Sequence, residues 1–308
     1  MKKVLVITGP TASGKTAVSI QLSKNAEGEI INADSMQIYK YCDIGSAKPS
    51  LSERKNINHH LIDIVSPSDK FSTAEYKVSA INCINDILNR KKLPVITGGT
   101  GLYIDALVRN IDFSVDKGND YIRRELNNLM DSKGKDFLYE KLRTRDSKAA
   151  STVHPNNTRR VIRYLEILES YDGTLAEYME NTLEKPAEFD YRIFVLWPER
   201  DFVYSHIEKR VDEMLKAGLV DEVRALLKAG VKSDDQCMMG IGYKETYAYI
   251  EDQIDYIEYV DLLKRNTRRY AKRQFTWFKR YKDAKFIPVD GKSAFIKIAD
   301  DILKTVFL

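Results

Sequence analysis

The sequence predicts an α/β fold in which a parallel sheet covered by helices is interrupted by an all-helical insertion. Three observations predict it. Short β-rich runs alternate with helical stretches through about the first hundred residues. The glycine-rich octet GPTASGKT, Gly9 to Thr16, follows the first run directly. The character then changes near Asp112, with no convincing strand between Asn119 and Met179.

The runs are Lys3–Thr8, Glu29–Ala33, Leu61–Val65 and Pro94–Thr97, each ending in polar or glycine residues. Such a rhythm places ligands at the carboxyl ends of the strands. Gly9, Gly14, Lys15 and Thr16 fill every fixed position of G-x4-G-K-[ST] in a strand, loop and helix context. The expected core is therefore P-loop NTPase-like. Its glycines let backbone N–H groups curl around an anion, and the following helix turns its positive end toward it. Lys15 adds a mobile charge, and Thr16 offers a hydroxyl to Mg2+. The motif alone leaves open whether the phosphate belongs to a nucleotide or to some other leaving group. Helical patterns follow at Tyr121–Met130, Phe137–Leu142 and Thr158–Leu168. A strand-like run returns at Tyr191–Trp197, and long amphipathic helices run from about Phe202 onward. The expected division is residues 1–111 with 186–308 as the core, and 112–185 as the insertion.

Composition excludes several classes. With 308 residues, 43% hydrophobic and 31% charged, the chain has material for a sizeable core. A net charge of +4 means that any nucleic-acid footprint depends on where basic residues lie rather than on their number. Cys42, Cys83 and Cys237 are far apart in sequence, with no CxxC pair and no nearby His at ligand spacing. A disulfide framework and structural zinc are not expected, and a reducing cytoplasm is. Met1-Lys2-Lys3 imitates the start of a signal peptide, but the apolar run after it is too short for export. No run approaches a membrane span.

A P-loop that splits a nucleotide normally has an acidic residue ending a neighbouring strand. Here the fourth run ends in Gly98-Gly99-Thr100-Gly101. Asp63, inside the third run, is a substitute or a surface-facing strand residue. Asp34, ending the second run in INADSMQ, belongs at the mouth of the loop; alone it reads equally well as a helix N-cap. In HPNNTRRVIRYLEIL, Val161, Leu165 and Leu168 share one helix face, while Arg159, Arg160 and Arg163 project elsewhere, toward phosphates or solvent. KRNTRRYAKRQFTWFKR gathers Lys264, Arg265, Arg268, Arg269, Lys272, Arg273, Lys279 and Arg280 around a core stripe of Ala271, Phe275 and Phe278. Its basic face suggests a polyanion.

Together these stretches resemble the tRNA dimethylallyltransferase (tRNA isopentenyltransferase) family. The resemblance rests on GPTASGKT, INADSMQIY, DIGSAKP, HHLIDI, VITGGTGLYIDAL, HPNNTRRVIRYLEI, HIEKRVDEMLKAGLVDEV, MGIGYKE and YAKRQFTWFKR, colinear over nearly the whole chain. Lys40-Tyr41-Cys42 departs from the small middle residue expected there, and Ser46 stands for Thr.

The resemblance implies that the core binds dimethylallyl diphosphate and performs the chemistry, while the insertion grips a tRNA anticodon stem-loop. The loop Gly9, Pro10, Thr11, Ala12, Ser13, Gly14, Lys15 and Thr16 would hold the diphosphate, with Mg2+ on Thr16. The acceptor would be N6 of the adenosine 3′-adjacent to the anticodon, flipped from its stack. Asp34 matches the family's base, Thr100 a contact to that adenosine, and Arg210 a diphosphate ligand. The tRNA contacts fall on Asp34, Ser35, Met36, Gln37, Thr100 and Arg123; on Thr158, Arg159, Arg160, Val161 and Ile162; and on Met239, Gly240, Ile241, Gly242, Tyr243 and Lys244. A cytoplasmic monomer without membrane attachment is expected. The rival readings are a P-loop small-molecule kinase, an isopentenyltransferase acting on free adenylate, and a non-catalytic RNA-binding protein with a relict P-loop.

Overall fold

The structure is a computed structural model that describes residues 2–113, 120–183, 186–289 and 295–307. It separates into two compact units, Met1–Val108 with Glu188–Leu308, and Arg109–Ala187. The insertion limit expected at Lys185 falls outside the described residues.

The first unit is built on six parallel strands: β1 (Lys3–Thr8), β2 (Gly28–Asn32), β3 (His59–His60), β4 (Leu93–Gly98), β5 (Asp190–Pro198) and β6 (Lys285–Val289), ordered β3-β2-β4-β1-β5-β6. Val4, Leu5, Val6 and Ile7 of the central β1 are at most 1% exposed, because both faces of the sheet are covered. The covering helices before the insertion are α1 (Lys15–Asn25), α2 (Thr73–Asn89) and α3 (Gly101–Val108). Ser72 and Glu75 close a reciprocal capping box at the start of α2.

Leu61–Val65, expected as the third strand, is not one. Leu61 and Asp63 both have φ of 58°, a left-handed backbone incompatible with an extended strand, and Asn32 Nδ2 donates to the Leu61 carbonyl at 3.1 Å. The strand is the preceding pair of histidines, and Val65 makes one isolated bridge to Tyr39. Asp63 is thereby removed from a strand; it pairs with Lys48 at 2.5 Å and with Arg54 at 3.7 Å.

The second unit is helical, with α4 (Asp120–Arg145), α5 (Ser147–Ser151), α6 (Thr158–Ser170) and α7 (Leu175–Leu183). Gly134, at φ 81° and ψ 172°, kinks α4 into the two stretches that the periodicity separates. Leu126, Leu138 and Leu142 of α4 form its core with Val161, Leu165 and Leu168 of α6. Asp146 ties two elements of that unit together, accepting from Ala149 N and Leu175 N, each at 2.9 Å.

The chain then completes the first unit with α8 (Arg200–Lys216), α9 (Leu219–Lys228), α10 (Tyr243–Ile250), α11 (Tyr256–Phe278) and α12 (Phe295–Phe307). Strand β6 was not foreseen. Its sequence KFIPV carries a lysine and a proline, and it forms an edge of the sheet, where proline is tolerated. Cys42 and Cys237, distant in sequence, are free cysteines fully buried in one cluster, and the Cys237 thiol donates to the Pro67 carbonyl at 3.2 Å.

Candidate active site

The loop between β1 and α1 turns back through positive φ at Gly9, Ala12 and Gly14, whose values are 147°, 61° and 86°. A Cβ on Gly9 would lie 2.5 Å from the Leu196 carbonyl oxygen of β5, so glycine is required there by space as well as by φ. Lys15 Nζ donates to the loop's own carbonyls, Gly9 O at 3.1 Å and Pro10 O at 2.7 Å. Ser13 Oγ is buried without a hydrogen-bond partner. Burial, helped by the nearby Arg210 charge, pulls the Lys15 pKa down to about 7.

At the neighbouring strand ends, Asp34 follows β2 and Thr100 follows β4. Asp34 N donates to Asn32 Oδ1 at 3.2 Å, and Asp34 Oδ1 accepts from Met36 N at 2.9 Å. Burial raises the pKa of this carboxyl, with the Met36 amide and the Lys15 charge opposing the rise. Thr100 N donates to the Ala33 carbonyl at 3.1 Å, and Thr100 Oγ1 accepts from Ser35 N at 3.0 Å. No carboxylate ends β4. Gly98 ends it, and the hydroxyl of Thr97 before it accepts from Ser19 Oγ at 2.9 Å.

Asp34, Thr97 and the loop line one cleft of about 250 Å³, together with Arg210 of α8 and with Tyr270 and Gln274 of α11; Thr100, Ser35 and Met36 are not among its lining residues. Arg210 Nη1 donates to Thr11 Oγ1 at 3.3 Å, and burial lowers its pKa. Thus one carboxylate and two cations share a concave site at the carboxyl ends of parallel strands. The cleft brings together Asp34, Gln37, Arg210 and the loop from Thr11 to Thr16. Sequence reasoning missed Asn32, Tyr270 and Gln274. Asn32 lies inside Asp34's own motif, whereas the other two read as parts of a basic amphipathic helix.

The IPP transferase family pattern matches residues 37–281. A tRNA dimethylallyltransferase of Clostridioides difficile (strain 630) is 44% identical over 305 residues, covering 98% of this chain and 97% of the relative. The chain belongs to the tRNA dimethylallyltransferase family. The family's enzyme from Acetivibrio thermocellus is 44% identical over 290 residues, spanning 94% of this chain and 93% of its own. The full-length tRNA isopentenylpyrophosphate transferase of Bacillus halodurans superposes with a TM-score of 0.73 at 39% identity, over 99% of this chain and 97% of that one. A eukaryotic dimethylallyltransferase acting on tRNA gives a TM-score of 0.84 at 29% identity, over 99% of this chain and 80% of that one.

The remaining positions that the family resemblance singles out have varied surroundings. Met239 is 46% exposed, and Gly240 packs so closely on Met36 that a Cβ would meet its Cε at 2.4 Å. Gly242 N donates to Glu245 Oε2 at 2.8 Å, while Tyr243 is buried with its hydroxyl on Glu222. Lys244 is exposed and Ile241 half-buried. In the second unit, Arg123 pairs with Glu166 at 3.1 Å. Arg160 donates to the Tyr164 hydroxyl at 2.8 Å, Arg159 is exposed and Thr158 half-buried, and Val161 and Ile162 turn into that unit's core. On α11, Ala271, Phe275 and Phe278 are buried as the stripe requires. Lys264 is engaged by Asp212 and Arg268 by Glu208, leaving Arg265, Arg269, Lys272 and Arg273 among the exposed cations.

Proposed function

We propose that this protein transfers a dimethylallyl group from dimethylallyl diphosphate to N6 of the adenosine 3′-adjacent to the anticodon of tRNA, releasing diphosphate. The observation that carries the reading is a single carboxylate, Asp34, facing a phosphate-type loop across a cleft with Lys15 and Arg210, with Thr97-Gly98 rather than a carboxylate ending β4. That arrangement suits a leaving diphosphate better than a transferred phosphoryl group, whose metal normally needs a strand-end carboxylate.

In this reading the N6 lone pair attacks the allylic carbon, the carbon–oxygen bond breaks, and its electron pair leaves with the diphosphate. The N6 proton passes to the Asp34 carboxylate, which the Met36 amide orients at 2.9 Å. Lys15 and Arg210 bind the diphosphate and stabilise its developing charge. Thr100 orients the adenosine from the turn after β4. Among the described residues no group of three His, Cys, Asp or Glu side chains converges. The exposed Thr16 would offer Mg2+ a hydroxyl, a hard oxygen ligand that fits an ion completing its shell with substrate oxygens and water. When bound there, Mg2+ would neutralise charge on the diphosphate. The tRNA contacts are assigned to Asp34–Gln37, Thr100, Met239–Lys244, Arg123 and the Thr158–Ile162 turn.

The test is incubation with labelled dimethylallyl diphosphate and bulk tRNA, followed by digestion to nucleosides. Label on the adenosine 3′ to the anticodon is expected. Label only on added free adenylate, or ATP consumption without prenyl transfer, would replace the proposal with one of its rivals.

A further inference from the structure

We propose that Gln274 is a positioning residue that holds the diphosphate loop in register with the adenosine end of the cleft; this rests on the prenyl-transfer reading above. Gln274 is 5% exposed on the inward face of α11, among the apolar residues Ala271, Phe275 and Phe278. A polar side chain at such a position is costly to bury unless both ends of its amide are satisfied. Both are. Thr11 N, in the phosphate loop, donates to Gln274 Oε1 at 2.7 Å, and Gln274 Nε2 donates to the Gly99 carbonyl at 2.9 Å.

The partners are backbone groups of fixed polarity, so the orientation of the amide is forced. Gly99 carries no Cβ, which would otherwise stand 2.3 Å from Nε2. One residue further on, Thr100 Oγ1 accepts from Ser35 N, next to Asp34. Hydrogen bonds therefore run without a break from Thr11 through Gln274 to Gly99, and from Thr100 to the backbone that carries the base. Thr11 lies 263 positions from Gln274 in sequence, and Gly99 lies 175 positions from it. The same bond directs the Thr11 amide to Gln274 rather than to the anion, leaving the other loop amides, Lys15 and Arg210 for the diphosphate.

Among side chains of this length, the neutral carboxamide supplies one acceptor and one donor at the right separation. A carboxylate would set an oxygen against the Gly99 carbonyl. A protonated carboxyl would restore the pattern, its O–H donating to Gly99 and its carbonyl accepting from Thr11. This difference yields a test. Gln274→Glu and Gln274→Leu are compared with wild type for kcat, KM and the pH dependence of transfer, with folding checked by thermal unfolding. At pH 8 both variants should lose up to about 10²-fold in kcat, with KM for each substrate little changed, since a shift of about 1 Å between reacting groups costs that much. As pH falls toward 5.5, the ratio of Gln274→Glu to wild type should recover, whereas that of Gln274→Leu should stay flat.

Tyr270 on the same helix, Arg210 of α8, Lys15 of α1, His59 of β3 and Asp34 after β2 face the same cleft. They titrate in wild type and variants alike, so the ratio isolates position 274. A second readout needs no substrate: the Thr11 amide should resist hydrogen exchange in wild type and in acid Gln274→Glu, and exchange in Gln274→Leu. Loss of wild-type transfer with the exchange pattern intact would sink the prenyl-transfer reading and leave the bridge standing. Full kcat in either variant at pH 8, identical pH ratios for the two, or an unprotected Thr11 amide in wild type would overturn the positioning role.

Discussion

At the phosphate end of the cleft, Lys15 donates to carbonyls of its own loop and Ser13 Oγ has no partner, whereas at the other end Asn32, Asp34 and Thr100 are each fixed by hydrogen bonds to backbone. If the proposed diphosphate binds there, the first end must rearrange, because Lys15 has to exchange its bonds to Gly9 and Pro10 for bonds to oxygens of the ligand. The second is already set. On the proposed function, binding and proton transfer fall to different parts of one site, and substitutions at the two ends should separate them.

The largest expected effect is at the preset end. Asp34→Asn keeps the shape and the bond from Met36 N but cannot take a proton at neutral pH, so kcat should fall by roughly 10²–10⁴ with KM for both substrates little altered. The acid limb of the wild-type kcat/KM profile should lie above the ordinary carboxylate range, because burial raises the Asp34 pKa, and it should vanish in the variant. Full turnover by Asp34→Asn, or a loss confined to diphosphate binding, would erase the distinction between the two ends.

A smaller effect is expected at the rearranging end. Lys15→Ala removes a charge-assisted contact present in both the ground and transition states, which should weaken diphosphate binding by about 10–100-fold and also slow transfer. Isothermal titration with inorganic diphosphate gives the affinity, and single-turnover kinetics give the rate. An unchanged affinity would show that Lys15 remains folded onto its own loop.

The smallest effect sharpens the comparison. With its pKa at about 7 in the free protein, Lys15 is mostly neutral at pH 8, and a bound anion raises that pKa. Binding above pH 7 should therefore take up a fraction of a proton, and affinity should decline as pH rises beyond 7. Titration in buffers of different ionisation enthalpy measures the uptake. It should disappear in Lys15→Arg, which stays charged; equal uptake in both proteins would assign it to the diphosphate.

The phosphate loop was legible because its requirements are local: glycines, a lysine and a threonine between a strand and a helix. Asp34 was legible as a strand-end carboxylate, although its stretch of sequence alone left it equal to a helix cap. Gln274 was hidden because its partners, Thr11 and Gly99, are remote in sequence, and a glutamine on a basic helix carries no periodic signal. The meeting of Cys42 and Cys237 in one buried cluster was hidden for the same reason. Leu61–Val65 misled because apolar composition says nothing of the left-handed backbone at Leu61 and Asp63.

Strand β6 was overlooked for its lysine and proline, and those residues have a colloidal consequence. A sheet edge is a template on which another chain can add a strand through its row of unpaired N–H and C=O groups. Here one edge, β3, is two residues long, and the other bears Lys285 and Pro288, a charge and a residue with no N–H to offer. Neither edge of the described sheet offers a long uninterrupted row of donors, so strand addition from one molecule to the next is disfavoured.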